Sequence, residues 1–289
     1  MVEHLPSKQR VAGSIPVPRS RAYFSYLFAR SAAARVHRDR RVETKVTMGV
    51  NSYTPKTVMV VVAHPDDAEF MAAGTVAKWT RAGSTVTYVI VTNGDKGSED
   101  ANVTSSQLAL IREKEQRVAG KILGVANFVF MGYPDGYLEH TLELRRDLAR
   151  VIRAHRPEVV ICFDPTNRFL SDNYVNHPDH RASGDATIDA AFPTARDRLI
   201  FPELLADGHE PHKVAQLWLG ASNGPNTFID IAETLEVKCE ALRAHPSQLG
   251  EDVAEFARQL ARWSAEGQDF EFGESFRRIV LETDSASAT

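Results

Sequence analysis

Two short stretches of the chain concentrate imidazoles and carboxylates at spacings that suit metal-assisted hydrolysis. "VMVVVAHPDDAEF", Val58 to Phe70, runs an apolar segment into His64, Pro65, Asp66 and Asp67. "NHPDH", Asn176 to His180, repeats His-Pro-Asp and adds a second histidine. His64 and Asp67 are three residues apart on a tight turn opening a helix, so both side chains can point to one spot. His177 and His180 share the same spacing at a predicted helix start. Proline suits the first helical position, where its missing N–H is harmless and its φ is already set. A catalytic zinc ion commonly takes three His, Asp or Glu ligands and leaves a position open for water. Two residues of the first knot and one histidine of the second make such a set. A lone His-Pro-Asp could be no more than a capped helix start, but capping alone does not account for two at strand ends.

The elements that must position these residues are legible as an alternation. Near-continuous apolar runs at Thr57–His64, Ser84–Gly94, Asn127–Gly132 and Glu158–Pro165 read as buried strands. Amphipathic segments at Ala68–Gly83, Ser105–Gly124 and Thr141–Pro157 read as the helices between them. Strands buried on both faces and joined by helices of this length indicate parallel β-α units. The predicted fold class is therefore α/β, a Rossmann-like, mostly parallel central sheet with helices on both faces and the active site at the C-terminal ends of the strands. That rim gathers His64, Asp66 and Asp67 after the first strand, and Asn93, Asp95 and Lys96 after the second. It adds Tyr133 and Asp135 after the third and Asp164 after the fourth, with the second knot about a dozen residues further on. Beyond His177 a fourth helix, a strand pair at Lys213–Ser222 and Asn226–Ala232, and two helices from Glu233 to Gly267 are predicted, before a last segment containing "FRRIVLE".

Composition bounds the rest. Of 289 residues, 43% are hydrophobic and 25% charged, as in an ordinary globular protein. Residues 1–47 carry ten Lys/Arg against three acids, a balance of +7, which leaves −11 on the remainder. An acidic body argues against nucleic-acid binding. No apolar run approaches the roughly 18–20 residues that span a bilayer. Cys162 and Cys239 read as packing residues, and so few cysteines suit a reducing, cytoplasmic setting. The organisation is read as a basic, disordered N-terminal extension over residues 1–50, a single domain over 51–283, and a disordered tail over 284–289. The extension could also be a targeting-like segment or translated upstream sequence ending before Met48; a tail without catalytic role is the preferred reading.

At "AHPDDAE" after the first strand, with "TNGDKG", "REKE", "YPDG", "NHPDHR" and "AHPSQ" following in order, the chain resembles the PIG-L (LmbE-like) family of zinc-dependent N-acetylglucosaminyl deacetylases over residues 57–282. The resemblance implies His64, Asp67 and His180 as metal ligands, with zinc as cofactor and iron(II) as the alternative. It implies Asp66 as general base, His177 as the residue stabilising the oxyanion or protonating the leaving amine, and Asp179 as the group orienting a histidine. Arg112 and Asp135 match sugar-contacting positions, and His245 in "AHPSQ" is placed near the substrate. Glu69 departs from the common pattern, in which Glu directly follows the two aspartates, and is read as opening the helix. Chemistry agrees with these roles. Asp66 diverges from its neighbour Asp67 yet can reach a bound water and take its proton. A cationic His177 would favour the oxyanion, and Asp179 would fix a ring tautomer.

The implied activity is hydrolytic removal of acetyl from an amino sugar conjugate, with a small-molecule partner, no nucleic acid, no membrane and a homo-oligomer left open. Two rivals are a metal-dependent phosphoesterase, which would need a second metal, and a non-catalytic sugar binder, which would have no use for Asp66. Selectivity is assigned to the loops around 95–106, 165–176 and 200–212.

Overall fold

The structure, a computed structural model, describes residues 52–171 and 174–282. The basic extension and the C-terminal tail read from the sequence lie outside the described residues. Strand β1 (Thr57–Val62) shows why its sequence is apolar without alternation. Val58, Val60 and Val62 enter one core layer, Met59 and Val61 the other, and none is more than 1% exposed. Both faces of the strand are therefore covered, as a parallel sheet requires.

Helix α1 (Asp67–Arg81), β2 (Thr85–Thr92), α2 (Ser105–Ile122), β3 (Asn127–Tyr133), α3 (Leu142–His155) and β4 (Val159–Phe163) follow in the predicted order. A short hairpin, β5 (Phe169–Ser171) and β6 (Tyr174–Val175), precedes α4 (Pro178–Asp189) and the brief α5 (Pro202–Ala206). Then come β7 (Gln216–Gly220), β8 (Thr227–Asp230), α6 (Leu235–Arg243), α7 (Val253–Ser264) and β9 (Gly273–Val280). The main sheet runs β3-β2-β1-β4-β7-β9-β8. The first five strands are parallel, and β9 is antiparallel to both neighbours. Helices α1, α6 and α7 pack on one face with the Val58 layer, and α3 and α4 on the other with the Met59 layer.

The predicted pairing of the two strands around residues 213–232 does not form, because β9 inserts between them. Phe276 of β9 packs on Trp218 of β7 at 5.4 Å between ring centroids. The Glu274 carboxylate accepts from the Gly74 and Thr75 amides of α1 at 2.9 and 2.8 Å and pairs with buried Lys238 at 2.6 Å. Contacts far apart in sequence thus outweigh the short loop that would have closed a hairpin.

Chain direction reverses its progress across the sheet between β1 and β4, the neighbours from which β2 and β7 spread outward. Ligands of open α/β sheets bind at such a switch point. The first knot follows β1, and the loop from β4 carries the second.

Candidate active site

The two knots are not built alike. Helix α4 does begin with proline at its first position, and the His177 ring caps it by accepting the Asp179 N–H on Nδ1 at 3.2 Å. In the first knot, however, Pro65 lies outside the helix. Asp66 caps α1 with φ 91°, in the left-handed region, and the helix starts at Asp67. A non-glycine residue held there costs of order 1–3 kcal/mol. Its peptide is gripped by α2: Arg112 donates to the Pro65 carbonyl at 2.6 Å, and Gln116 Oε1 accepts the Asp66 N–H at 2.9 Å. The left-handed turn separates the adjacent carboxylates of Asp66 and Asp67 into different surroundings.

His64, Asp67, Asp135, His177, Asp179 and His180 converge over the switch point. His64 Nδ1 lies 3.3 Å from Asp67 Oδ2, and its Nε2 lies 3.1 Å from Asp135 Oδ1 and 3.3 Å from Asp179 Oδ2. His180 Nε2 lies 3.2 Å from Asp67 Oδ1. The His177 ring sits 4.8 Å from His64 and 5.4 Å from His180. Phe163, the last residue of β4, stacks on His180 at 4.1 Å and an interplanar angle of 5°. Gly184 permits this approach of α4 to β4, since a Cβ there would meet the Phe163 carbonyl oxygen at 2.6 Å.

These donors fit a divalent cation. A neutral imidazole has one N–H and one lone pair, yet His64 has carboxylate oxygens at both ring nitrogens. With Nε2 donating to Asp135 and Asp179, the Nδ1 lone pair faces the Asp67 anion, and a proton or metal ion must lie between them. His180 Nε2 is buried, forms no well-aligned hydrogen bond among the described residues and faces Asp67 Oδ1 at 3.2 Å, a second imidazole-to-carboxylate contact of the same kind. The sets of three whose ligand atoms all lie within 4.8 Å of one another are His64 with His177 and His180, and His64 with Asp135 and Asp179; Asp67 joins His64 and His180 through separate oxygens, at 3.3 and 3.2 Å. In the second set both carboxylates already accept backbone N–H groups, Asp135 from Lys96 at 2.9 Å and Asp179 from Gly136 at 2.7 Å and Leu138 at 3.3 Å. Asp67 does likewise, its Oδ2 accepting the His64 backbone N–H at 2.8 Å.

Electrostatics divides the acids. Burial, reinforced by Asp67 and only partly offset by Arg112 3.3 Å away, raises the Asp66 carboxyl to about 6. Burial also opposes ionisation of Asp67, but His180 and His64 outweigh it and hold Asp67 well below the usual carboxylate range. For Asp135 burial is likewise outweighed, by His64 and the Lys96 amide, and the group falls to about 2. Burial disfavours protonated His64, yet Asp135, Asp179 and Asp67 raise it well above the ordinary imidazole. His177 differs from the cationic residue expected. Burial, with His64 and His180 beside it, lowers it to about 4, which favours the neutral ring at pH 7.

The substrate-facing expectations are placed less openly. Arg112 is 5% exposed and donates to the Gly94 and Pro65 carbonyls; Asp135 is 6% exposed and contacts His64 and Lys96. His245 has no exposed surface, and its Nε2 lies 3.3 Å from Glu69, so the structure sets it behind the cleft. Asp164 ties Thr166 to Ser222 and makes its bonds there. Reading from sequence missed Gln116, although its place four residues after Arg112 was visible. A cavity of about 70 Å³ opens beside Asp67 and His180, walled by Phe70, Met71, Phe163, Leu170 and Leu260.

A model of the PIG-L family (GlcNAc-PI de-N-acetylase) matches residues 59–191. The diacetylchitobiose deacetylase of Thermococcus kodakarensis is 34% identical over 228 residues, 78% of this chain and 83% of that protein. The probable N-acetyl-alpha-D-glucosaminyl L-malate deacetylase 2 of Bacillus anthracis is 34% identical over 209 residues, 70% of this chain and 85% of that protein. Among solved structures, the N,N'-diacetylchitobiose deacetylase of Pyrococcus horikoshii in complex with its inhibitor MPG superposes with a TM-score of 0.73 at 28% identity, covering 85% of this chain and 94% of that one. With the "HPDD" and "HPDH" knots joined at the switch point of the same fold, the chain belongs to the PIG-L family of de-N-acetylases.

Proposed function

We propose that the protein is a zinc-dependent N-deacetylase that releases acetate from an N-acetylglucosamine-type conjugate, with iron(II) as the alternative metal. The observation that carries this reading is the convergence of His64, Asp67, His177 and His180 over the switch point, with Asp66 turned by its left-handed backbone toward Arg112 instead. His64, Asp67 and His180 would hold the ion, with Asp179 and Asp135 fixing the His64 ring. When bound there, a divalent ion lowers the pKa of its water to about 7 and polarises a carbonyl.

The chain's own residues supply the proton traffic. Asp66, ionised at pH 7 and with a pKa near 6, accepts a proton from the attacking water and can return it to the departing amine. A base in that position contributes roughly 10²–10⁴-fold. His177 accepts the Asp179 N–H on Nδ1, so its neutral tautomer carries the proton on Nε2 and offers that N–H to developing oxyanion charge. The burial of Asp66, and the half-burial of His177, strengthen these interactions. Arg112 and Asp135 are proposed to meet sugar hydroxyls through their small exposed edges, and His245 to act only through Glu69. Among the described residues no helix is long and apolar enough to cross a membrane. A cytoplasmic setting accords with two buried free thiols, Cys162 and Cys239.

The test is acetate release from the zinc-reconstituted protein across free, malyl, inositol and oligosaccharide conjugates of N-acetylglucosamine. Release from at least one, abolished by chelation and restored by zinc, is expected. No release from any of them would remove the reading.

A further inference from the structure

Arg112 and Gln116, four residues apart and so on one face of α2, close together on the Pro65–Asp66 peptide from its two sides. Gln116 is itself aimed. Its Nε2 donates to Glu69 Oε1 at 2.8 Å, which leaves Oε1 to accept the Asp66 N–H. Glu69 Oε2 in turn faces His245 Nε2 at 3.3 Å. Glu69, Gln116 and His245 are all without exposed surface, so none of them can meet substrate. A buried carboxylate demands a partner charge. Burial disfavours the imidazolium of His245, but Glu69, Asp66 and Glu115 outweigh it and raise the ring's pKa. The far end of this chain is the one non-glycine residue of the knot held at positive φ, Asp66 at 91°. Such a backbone persists only where its surroundings over-determine it.

Resting on the reading of Asp66 as general base, we propose that Glu69, Gln116 and His245 are positioning residues that lock the left-handed turn at Asp66 and so aim the base. Without the Gln116 acceptor the turn can relax toward the right-handed conformation that would extend α1 by one residue. That relaxation swings the Asp66 carboxylate while leaving the contacts of Asp67 with His64 and His180 in place. Misplacing a catalytic group by about 1 Å can cost on the order of 10²-fold.

The experiment uses the zinc-loaded full chain and the conjugate that the wild type hydrolyses fastest. Gln116→Met and His245→Ala are expected to lower kcat about 10- to 100-fold, with KM and zinc content per chain within about twofold of wild type. His245→Gln, which keeps an N–H for Glu69, should recover most of the loss. The double variant should be no slower than Gln116→Met alone, because His245 acts through Gln116. If Gln116→Met does not fold, Gln116→Asn, too short to span to Asp66, carries the same prediction. An unchanged kcat, a loss confined to KM, loss of zinc, or additive losses in the double variant would each overturn the proposal. A wild type that releases no acetate would instead strike the deacetylase reading beneath it.

Discussion

At the scale of single residues, the site places identical side chains in opposite electrostatic surroundings. Asp66 and Asp67 are neighbours, yet burial leaves one carboxyl near 6 while two histidines hold the other well down. Asp66→Asn should therefore keep zinc and lose roughly 10²–10⁴-fold in kcat, as measured by acetate release beside elemental analysis. As the proposed base, Asp66 would work deprotonated, and its pKa is raised to about 6, so kcat/KM should fall about tenfold per pH unit below pH 6. A profile flat to pH 5 would contradict the base assignment. Asp179 accepts two backbone N–H groups and touches His64 Nε2. Its replacement by Asn should weaken zinc affinity about 10–100-fold, measurable by competition with a chelating dye. The identities of these residues were legible because His, Pro and Asp recur at fixed spacing after an apolar strand. The crowding of carboxylates around the His64 ring and the lowered pKa of His177 were not, because they depend on groups from the loop after β3 and from α4 arriving together.

At the scale of elements, glycine and proline decide how closely the knots approach. Gly184 lets α4 lie against β4, and the Phe163–His180 stack follows from that contact. Gly184→Val would force the Phe163 backbone away, with an expected loss of about 1–3 kcal/mol in stability and weaker zinc binding. A denaturant titration with and without zinc reads both; an unchanged midpoint would contradict the close packing. The alternation of apolar strands and amphipathic helices made β1 to β4 and their helices readable in order. The place of β9 was not readable, because Phe276 and Glu274 make their decisive contacts with Trp218, Lys238 and the α1 amides, each 36 or more residues away. Pro65 misled for the opposite reason. Local preference placed it inside the helix, and side chains from α2 overrode that preference at Asp66.

At the scale of the whole molecule, one sheet covered on both faces carries every proposed functional group at one edge, and the residues that support them reach back through the core. A chain trimmed to residues 51–283 is proposed to fold and keep its kcat, since the contacts described around the site all lie within it. A truncated protein that binds zinc but turns over more than tenfold slower would give the basic extension a part in the reaction. The central claim concerns the ion itself. An anomalous difference map at the zinc edge, from a crystal grown with equimolar zinc, tests it most directly. The account predicts a single peak bonded to His64, Asp67 and His180 at about 2.0–2.2 Å. A peak held instead by His64, Asp135 and Asp179, or two peaks about 3.5–4 Å apart, would contradict it.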